Sequence, residues 1–137
     1  MEINTNTLYL YLCQFFHIFL DMVPFIYILF FPSKYDPIII ILVFIQCLHW
    51  LLLKNECSLS YIEKQLLNKK YKLGQDIRYI PHEERWYPNK NMVILMHALQ
   101  ICVFIYILYR NINNTILVLL SLFNIFVMFY IFKIRYF

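Results

Sequence analysis

The chain has 137 residues, of which 62% are hydrophobic and 15% are charged, and its formal net charge is +4. A single core of this size cannot bury so much apolar surface, so the composition excludes an ordinary water-soluble domain. No nucleic-acid-binding signature accompanies the lysines, and we expect the positive charge to face anionic lipid headgroups rather than nucleic acid.

Four apolar stretches reach or approach the roughly 20 residues that a helix needs to cross the hydrocarbon layer of a bilayer. We therefore predict an all-α integral membrane protein, a four-helix bundle built from two antiparallel hairpins that form a single domain over residues 1–137. The predicted spans are about 8–31, 38–54, 91–109 and 115–132.

The one long polar segment, residues 55–90, separates the second span from the third. Ser60 and Glu63 have the spacing of a capping box, which marks the start of a helix, and Gly74 is typical of a helix C-terminus. We predict an amphipathic helix at about 60–73, with its apolar side on the membrane surface and its lysines in solvent.

The basic residues predict the orientation of the chain. Of the 12 lysines and arginines, only Lys34 and Arg110 fall in the two short connections between spans, whereas the others lie in the long loop and near the C-terminus. This asymmetry places both termini and the loop in the cytosol or its topological equivalent.

Polar side chains recur within the predicted spans, where each is costly unless it finds a protein partner. Three spans carry a histidine three residues from a glutamine, and the fourth carries a serine and an asparagine. We expect these groups to meet in one layer, with Asp21 held by His17 or Gln46. The set is Gln14, His17, Asp21, Gln46, His49, His97, Gln100, Ser121 and Asn124.

Three interpretations of this set stay open. In the first, the polar side chains form hydrogen bonds that fix the register of the helices, each contributing roughly 1 kcal/mol. In the second, the histidines bind a haem or a metal ion, although no spacing in the sequence is diagnostic. In the third, His17 and Asp21, one helical turn apart, handle protons or ions.

A second polar cluster is expected where the loop leaves the membrane, at Glu56, Cys57, Glu63 and His82. Thiolate, imidazole and carboxylate groups suit zinc, but the spacing does not assign four ligands. A solvated helix start accounts for the same residues. An enzyme that acts on lipid headgroups through Glu56, Cys57 and His82 is a further interpretation.

The segment Cys57-Ser58-Leu59-Ser60-Tyr61-Ile62-Glu63 resembles the C-P-L-T-x-x-E element of a family of small bacterial polytopic membrane proteins of unknown function. Those proteins are similar also in a histidine of the first span, an I-x-H element and a later Y-P. The pattern looks similar, too, to membrane proteins of large DNA viruses. Ser58 departs from the family's proline. The resemblance implies that four residues act together, namely His17, Cys57, Glu63 and His82.

The function expected from the sequence is that of a structural or accessory membrane component, acting through helix packing and contacts with a protein partner or a second copy of the chain. The chain has a single glycine, so close helix pairing through small residues is not available. The alternative function is a histidine-lined site within the membrane that binds a haem or metal ion, or that handles protons.

Overall fold

The computed structural model describes residues 5–137, and in this part of the chain the protein is all-α, as predicted. Four long helices and two short ones follow one another, and a 3-10 turn at Ser33–Tyr35 precedes the second long helix. The helices are α1 (Thr5–Phe30), α2 (Asp36–Leu52), α3 (Ser58–Leu67), α4 (Pro81–Trp86), α5 (Lys90–Arg110) and α6 (Thr115–Tyr136).

The four long helices are long and apolar enough to cross a membrane, which identifies an integral membrane protein. Their bounds differ from the predicted spans by about four residues at most. Large side chains such as Phe30 and Phe126 are exposed on the outside of the bundle. Outward apolar side chains are what contact with lipid requires.

The helices pack so that α6 lies against both α2 and α5, while α1 lies against α3, α4 and α5. The apolar core lies nearer one end of the bundle, where Tyr27, Ile40, Phe104 and Ile107 are buried together. We call this end, with its short connections after α1 and α5, the far side. The end with residues 53–89 and the C-terminus is the loop side.

The loop helix differs from its prediction. It begins at Ser58 and ends at Leu67, so the predicted bounds of 60 and 73 are wrong. The capping box does not form, because Glu63 bonds to residues of other helices and the Ser60 hydroxyl has no hydrogen-bond partner in the described chain. Gly74 has a φ of 78° and lies in a later turn, where its N–H donates to Glu56.

The polar side of α3 is buried rather than solvated, since Ser60, Glu63 and Lys64 are all buried. The Lys64 ammonium pairs with the buried carboxylate of Glu56 and donates to the Asp76 carbonyl oxygen at 2.6 Å. Loop residues therefore fold around a buried lysine that the sequence places on a solvent-facing surface.

On the far side, a second buried carboxylate joins three helices. Asp36, at the start of α2, is fully buried and pairs through both oxygens with the guanidinium of Arg110 at the end of α5. The Tyr27 hydroxyl of α1 donates to Asp36 at 2.5 Å, and the Asn111 amide donates to it at 2.7 Å. This group of four side chains closes the far side of the bundle.

We expect Asp36→Ala to lower the free energy of unfolding by about 3 kcal/mol, because it leaves the Arg110 charge without its counterion. Unfolding in detergent micelles measures the change. Glu84→Ala removes an exposed carboxylate and serves as the control. Equal stability of the two variants would contradict the assignment, whereas partial recovery in the double variant Asp36→Ala/Arg110→Leu would support it.

Candidate functional site

Three imidazoles and three carboxylates meet on the loop side of the bundle, in a group that we call the histidine–carboxylate cluster. Helix α1 supplies two of them one turn apart, α3 supplies one, the start of α4 supplies two, and α5 supplies one. The six residues are His17, Asp21, Glu63, His82, Glu83 and His97.

Glu63 lies at the centre of the cluster and is fully buried. His17 Nδ1 donates to its Oε1 at 3.0 Å, while the backbone N–H and Nδ1 of His82 lie 3.2 and 3.4 Å from its Oε2. The two rings approach to 3.7 Å between centroids. Burial raises the pKa of Glu63, but the hydrogen bonds from His17 and His82 outweigh burial and lower it to about 2. The carboxylate is therefore ionised at neutral pH.

The second ring nitrogen of His82, Nε2, lies 3.5 Å from Asp21 Oδ2. Burial lowers the pKa of His82, but the hydrogen bonds to Asp21 and Glu63 raise it above its ordinary value. Both ring nitrogens thus face carboxylates, which is the arrangement of an imidazolium.

The predicted partners of Asp21, His17 and Gln46, are wrong. His17 directs its Nδ1 to Glu63 instead, and α4 brings His82 to Asp21. A helical spacing of one turn shows which residues share a face, but it does not show which residue of another helix competes for the same carboxylate.

A second arm of hydrogen bonds extends from the cluster to the C-terminal end of α6. His97 Nε2 lies 3.2 Å from Glu83, and the Tyr136 hydroxyl donates to the same carboxylate oxygen at 2.6 Å. His97 Nδ1 lies 2.8 Å from the Gln100 oxygen, and the Gln100 amide donates to the backbone oxygen of Asp21 at 2.7 Å. Hydrogen bonds therefore connect α1, α4, α5 and α6 around one polar centre.

Cys57 is buried beside His17, directly before the start of α3. Burial raises the pKa of its thiol, but interaction with His17 and hydrogen bonds from the backbone of Leu59 and Ser60 lower it below the ordinary value. A thiol with a lowered pKa has more thiolate character, and the thiolate is the form that binds metals.

A cavity of about 50 Å³ adjoins the cluster. Asp21, His82 and His97 line its polar side, and Trp50 and Phe132 line its apolar side. A space of this size with several polar neighbours is large enough for water, which needs about 10–15 Å³ per molecule on this measure. The imidazoles therefore lie next to a space that water or a small ligand can enter.

Several residues of the predicted polar layer lie outside the cluster. Gln14 is buried, but its Oε1 has no hydrogen-bond partner in the described chain. Gln46 and His49 are half-buried on α2, and Asn124 of α6 donates to the backbone oxygen of Ile40 at 3.0 Å. Ser121 is buried on α6, and its hydroxyl lacks a partner among the described residues. The set does not meet in one layer.

The sequence predicts one polar cluster within the spans and another at the membrane edge, and in the structure some residues of both lie together in a single site. Glu63 and His82, expected at the membrane edge, meet His17 and Asp21 of the first span. Glu56 lies apart with Lys64. The contribution of Tyr136 is not evident from the sequence, because an aromatic residue near the end of a span normally indicates only the membrane interface.

Comparison of the chain with known protein families, curated proteins and solved structures finds no match. The site must therefore be interpreted from its own geometry. The four residues grouped by the resemblance do lie together, since His17 interacts with Cys57 and Glu63, and Glu63 bonds to His82.

We expect Asp21→Asn to fold, because the asparagine oxygen can still accept a hydrogen bond from His82. Asp21→Leu should lower the free energy of unfolding by about 1–3 kcal/mol, because it leaves His82 Nε2 buried without a partner. Unfolding in detergent measures both variants, with Glu84→Gln and Glu84→Leu as matched exposed controls. Loss of folded Asp21→Asn protein, or unchanged stability of Asp21→Leu, would contradict the pairing.

Proposed function

We propose that this membrane protein binds a divalent transition-metal ion through His17, Glu63 and His82. The observation that supports the proposal is the convergence of one ligand atom from each residue, all within 4.8 Å of one another and all from buried side chains. Two imidazoles and one carboxylate form a common ligand set for zinc, and the same set occurs in non-haem iron sites.

The distances between ligand atoms fit an ion placed among them. Bonds of about 2.0–2.2 Å at tetrahedral angles put neighbouring ligand atoms about 3.3–3.6 Å apart. Nδ1 of His17 lies 3.0 Å from Oε1 of Glu63, and Nδ1 of His82 lies 3.4 Å from Oε2, so the carboxylate presents one oxygen to each imidazole. One atom from each of the three residues lies within 4.8 Å of the others. Little movement is needed to admit the ion, although each coordinating nitrogen must first lose its proton.

The surroundings also suit a metal. Asp21 faces the nitrogen of His82 that would not bind the ion, and carboxylates in this position orient a ligating imidazole. Cys57 interacts with His17 but lies outside the set of mutually close ligand atoms, so it would have to move to become a fourth ligand, and the adjoining cavity could supply water in its place. A haem fits less well, because a cavity of about 50 Å³ is far smaller than the roughly 300 Å³ of even a small ligand pocket.

Metal analysis of the detergent-purified protein tests this proposal. After loading with Zn²⁺ or Co²⁺ and removal of excess ion, we expect about one ion per chain, since three buried ligands define a single site. Glu63→Gln and His82→Gln should each reduce this content to background.

The matched control is His49→Gln. His49 on α2 and His97 on α5 are the same number of residues from the far-side ends of their helices. The two histidines therefore lie at a similar depth in the bundle, but His49 is outside the cluster. This variant should retain the full metal content. Metal-free wild-type protein, or equal metal content in all three variants, would overturn the proposal. A thiolate-to-cobalt absorption band that disappears in Cys57→Ser would identify Cys57 as the fourth ligand.

The structural or accessory function is the second candidate, and one observation favours it. The cluster connects α3 and α4 to α1 and α5 through hydrogen bonds, which is a sufficient structural reason for polar groups in a packed bundle. Wild-type protein that binds no metal, together with cluster variants that unfold more easily, would support this candidate instead.

We also propose that the loop side faces the cytosol, because Lys34 and Arg110 are the only basic residues in the far-side connections. Single cysteines at positions 34 and 70, in a chain whose native cysteines are replaced by serine, test this orientation. A membrane-impermeant thiol reagent added outside intact cells should label position 34 and not position 70. The reverse labelling would contradict the proposed orientation.

A further inference from the structure

A groove of about 510 Å³ lies on the loop side, between the segment that joins α4 to α5 and the C-terminal end of α6. Three basic side chains line it: Arg78 of the loop, Lys90 at the start of α5, and Arg135 near the end of α6. Residues that are distant in sequence thus place three positive charges around one opening.

None of these three cations has a carboxylate partner in the described part of the chain. Within residues 5–137, the Arg78 side chain makes no ion pair or hydrogen bond, and the Lys90 ammonium donates only to the Tyr136 carbonyl oxygen, at 3.1 Å. Arg135 donates to the Asn55 carbonyl oxygen at 3.3 Å and lies over the Trp50 ring, while its Nε is buried without a hydrogen-bond partner. By contrast, Lys64 and Arg110 are each paired with a buried carboxylate.

Two carboxylates also line the groove, so they offset its three positive charges only in part. Glu83 accepts hydrogen bonds from Tyr136 and pairs with His97, so its carboxylate is directed toward the cluster. Glu84 is exposed at the rim. The positive end of the α5 dipole, at Lys90, adds to the field in the groove.

The position of the groove indicates where its ligand comes from. It lies where two membrane-crossing helices end on the same side, and Tyr87 lines it. Tyrosine and tryptophan are enriched at the level of the lipid headgroups, and the exposed Trp86 is adjacent in sequence. The phosphates of lipid headgroups are anionic groups that lie at this level of a bilayer.

We infer that this groove binds a phosphate group, supplied by the headgroup of an anionic lipid, through Arg78, Lys90 and Arg135. Arginine donates paired hydrogen bonds to phosphate oxygens, and lysine adds a point charge. This inference concerns a separate ligand and does not depend on the proposed metal site. The two sites are nevertheless neighbours, because Glu83, Arg135 and Tyr136 line both the groove and the cavity of the cluster.

Thermal unfolding of the full chain in detergent micelles tests the inference. Micelles are doped with phosphatidylglycerol or with phosphatidylcholine, and a third sample receives inorganic phosphate alone. We expect phosphatidylglycerol to raise the unfolding temperature more than phosphatidylcholine does. Inorganic phosphate that gives the full rise by itself would overturn the lipid as the source, while still locating a phosphate site in the groove.

The variants Arg78→Gln and Arg78→Gln/Lys90→Gln remove charge from the groove. Arg78 has no side-chain partner to lose, so its variant should fold normally. The double variant removes two of the three cations and should need at least about tenfold more phosphatidylglycerol for the same rise in unfolding temperature, a change of about 1.4 kcal/mol in binding free energy.

Lys69→Gln/Lys70→Gln is the matched control, because it removes the same charge from exposed loop residues outside the groove. This control should respond to phosphatidylglycerol as the wild type does. An equal loss of response in the groove and control variants would show a general charge effect and overturn the site. Metal content is measured on the same samples and should not change. This measurement distinguishes loss of the phosphate site from loss of the proposed metal site.

Discussion

A carboxylate that is buried without partners costs several kcal/mol, and Glu63 is fully buried. This single constraint determines how the loop side is built. Glu63 is held by α3, and the two imidazoles that neutralise it come from α1 and α4. The loop must therefore fold back onto the first helix rather than extend along the membrane surface. Asp21 then completes the arrangement by occupying the second nitrogen of His82.

Each end of the bundle contains a buried carboxylate that needs partners, and different residue types supply these partners at the two ends. On the far side, Asp36 is neutralised by Arg110, whose guanidinium keeps its proton in proteins and does not coordinate metals. On the loop side, Glu63 is paired among residues 5–137 only with histidines, a side chain that can exchange a proton for a metal ion. The far-side group therefore keeps a fixed charge pair, whereas the loop-side cluster has side chains that can change their protonation state.

The sequence predicts those features that depend on local pattern. The four membrane-crossing helices follow from apolar length, and the need for polar partners follows from the cost of histidine and aspartate in hydrocarbon. Helical periodicity does not predict the partners, because Glu63 and His17 are 46 positions apart; only the resemblance in the Cys57–Glu63 segment groups the two residues. The capping box at Ser60 shows the same limit, since a local signal worth about 1 kcal/mol is overridden when Glu63 finds two imidazoles.

The pairing inside the cluster also determines the charge outside it. Glu83 is adjacent to His82 in sequence, but it faces His97 and Tyr136 rather than the arginines of the groove. Its carboxylate is consequently hydrogen-bonded in the interior, and Arg78 and Arg135 form no ion pair with another residue of the described chain. Were Glu83 to turn outward, it would neutralise one groove cation and leave His97 with one hydrogen bond fewer. Because Glu83 bonds to His97 and Tyr136, its carboxylate contributes to the polar interior and does not pair with the cations of the groove.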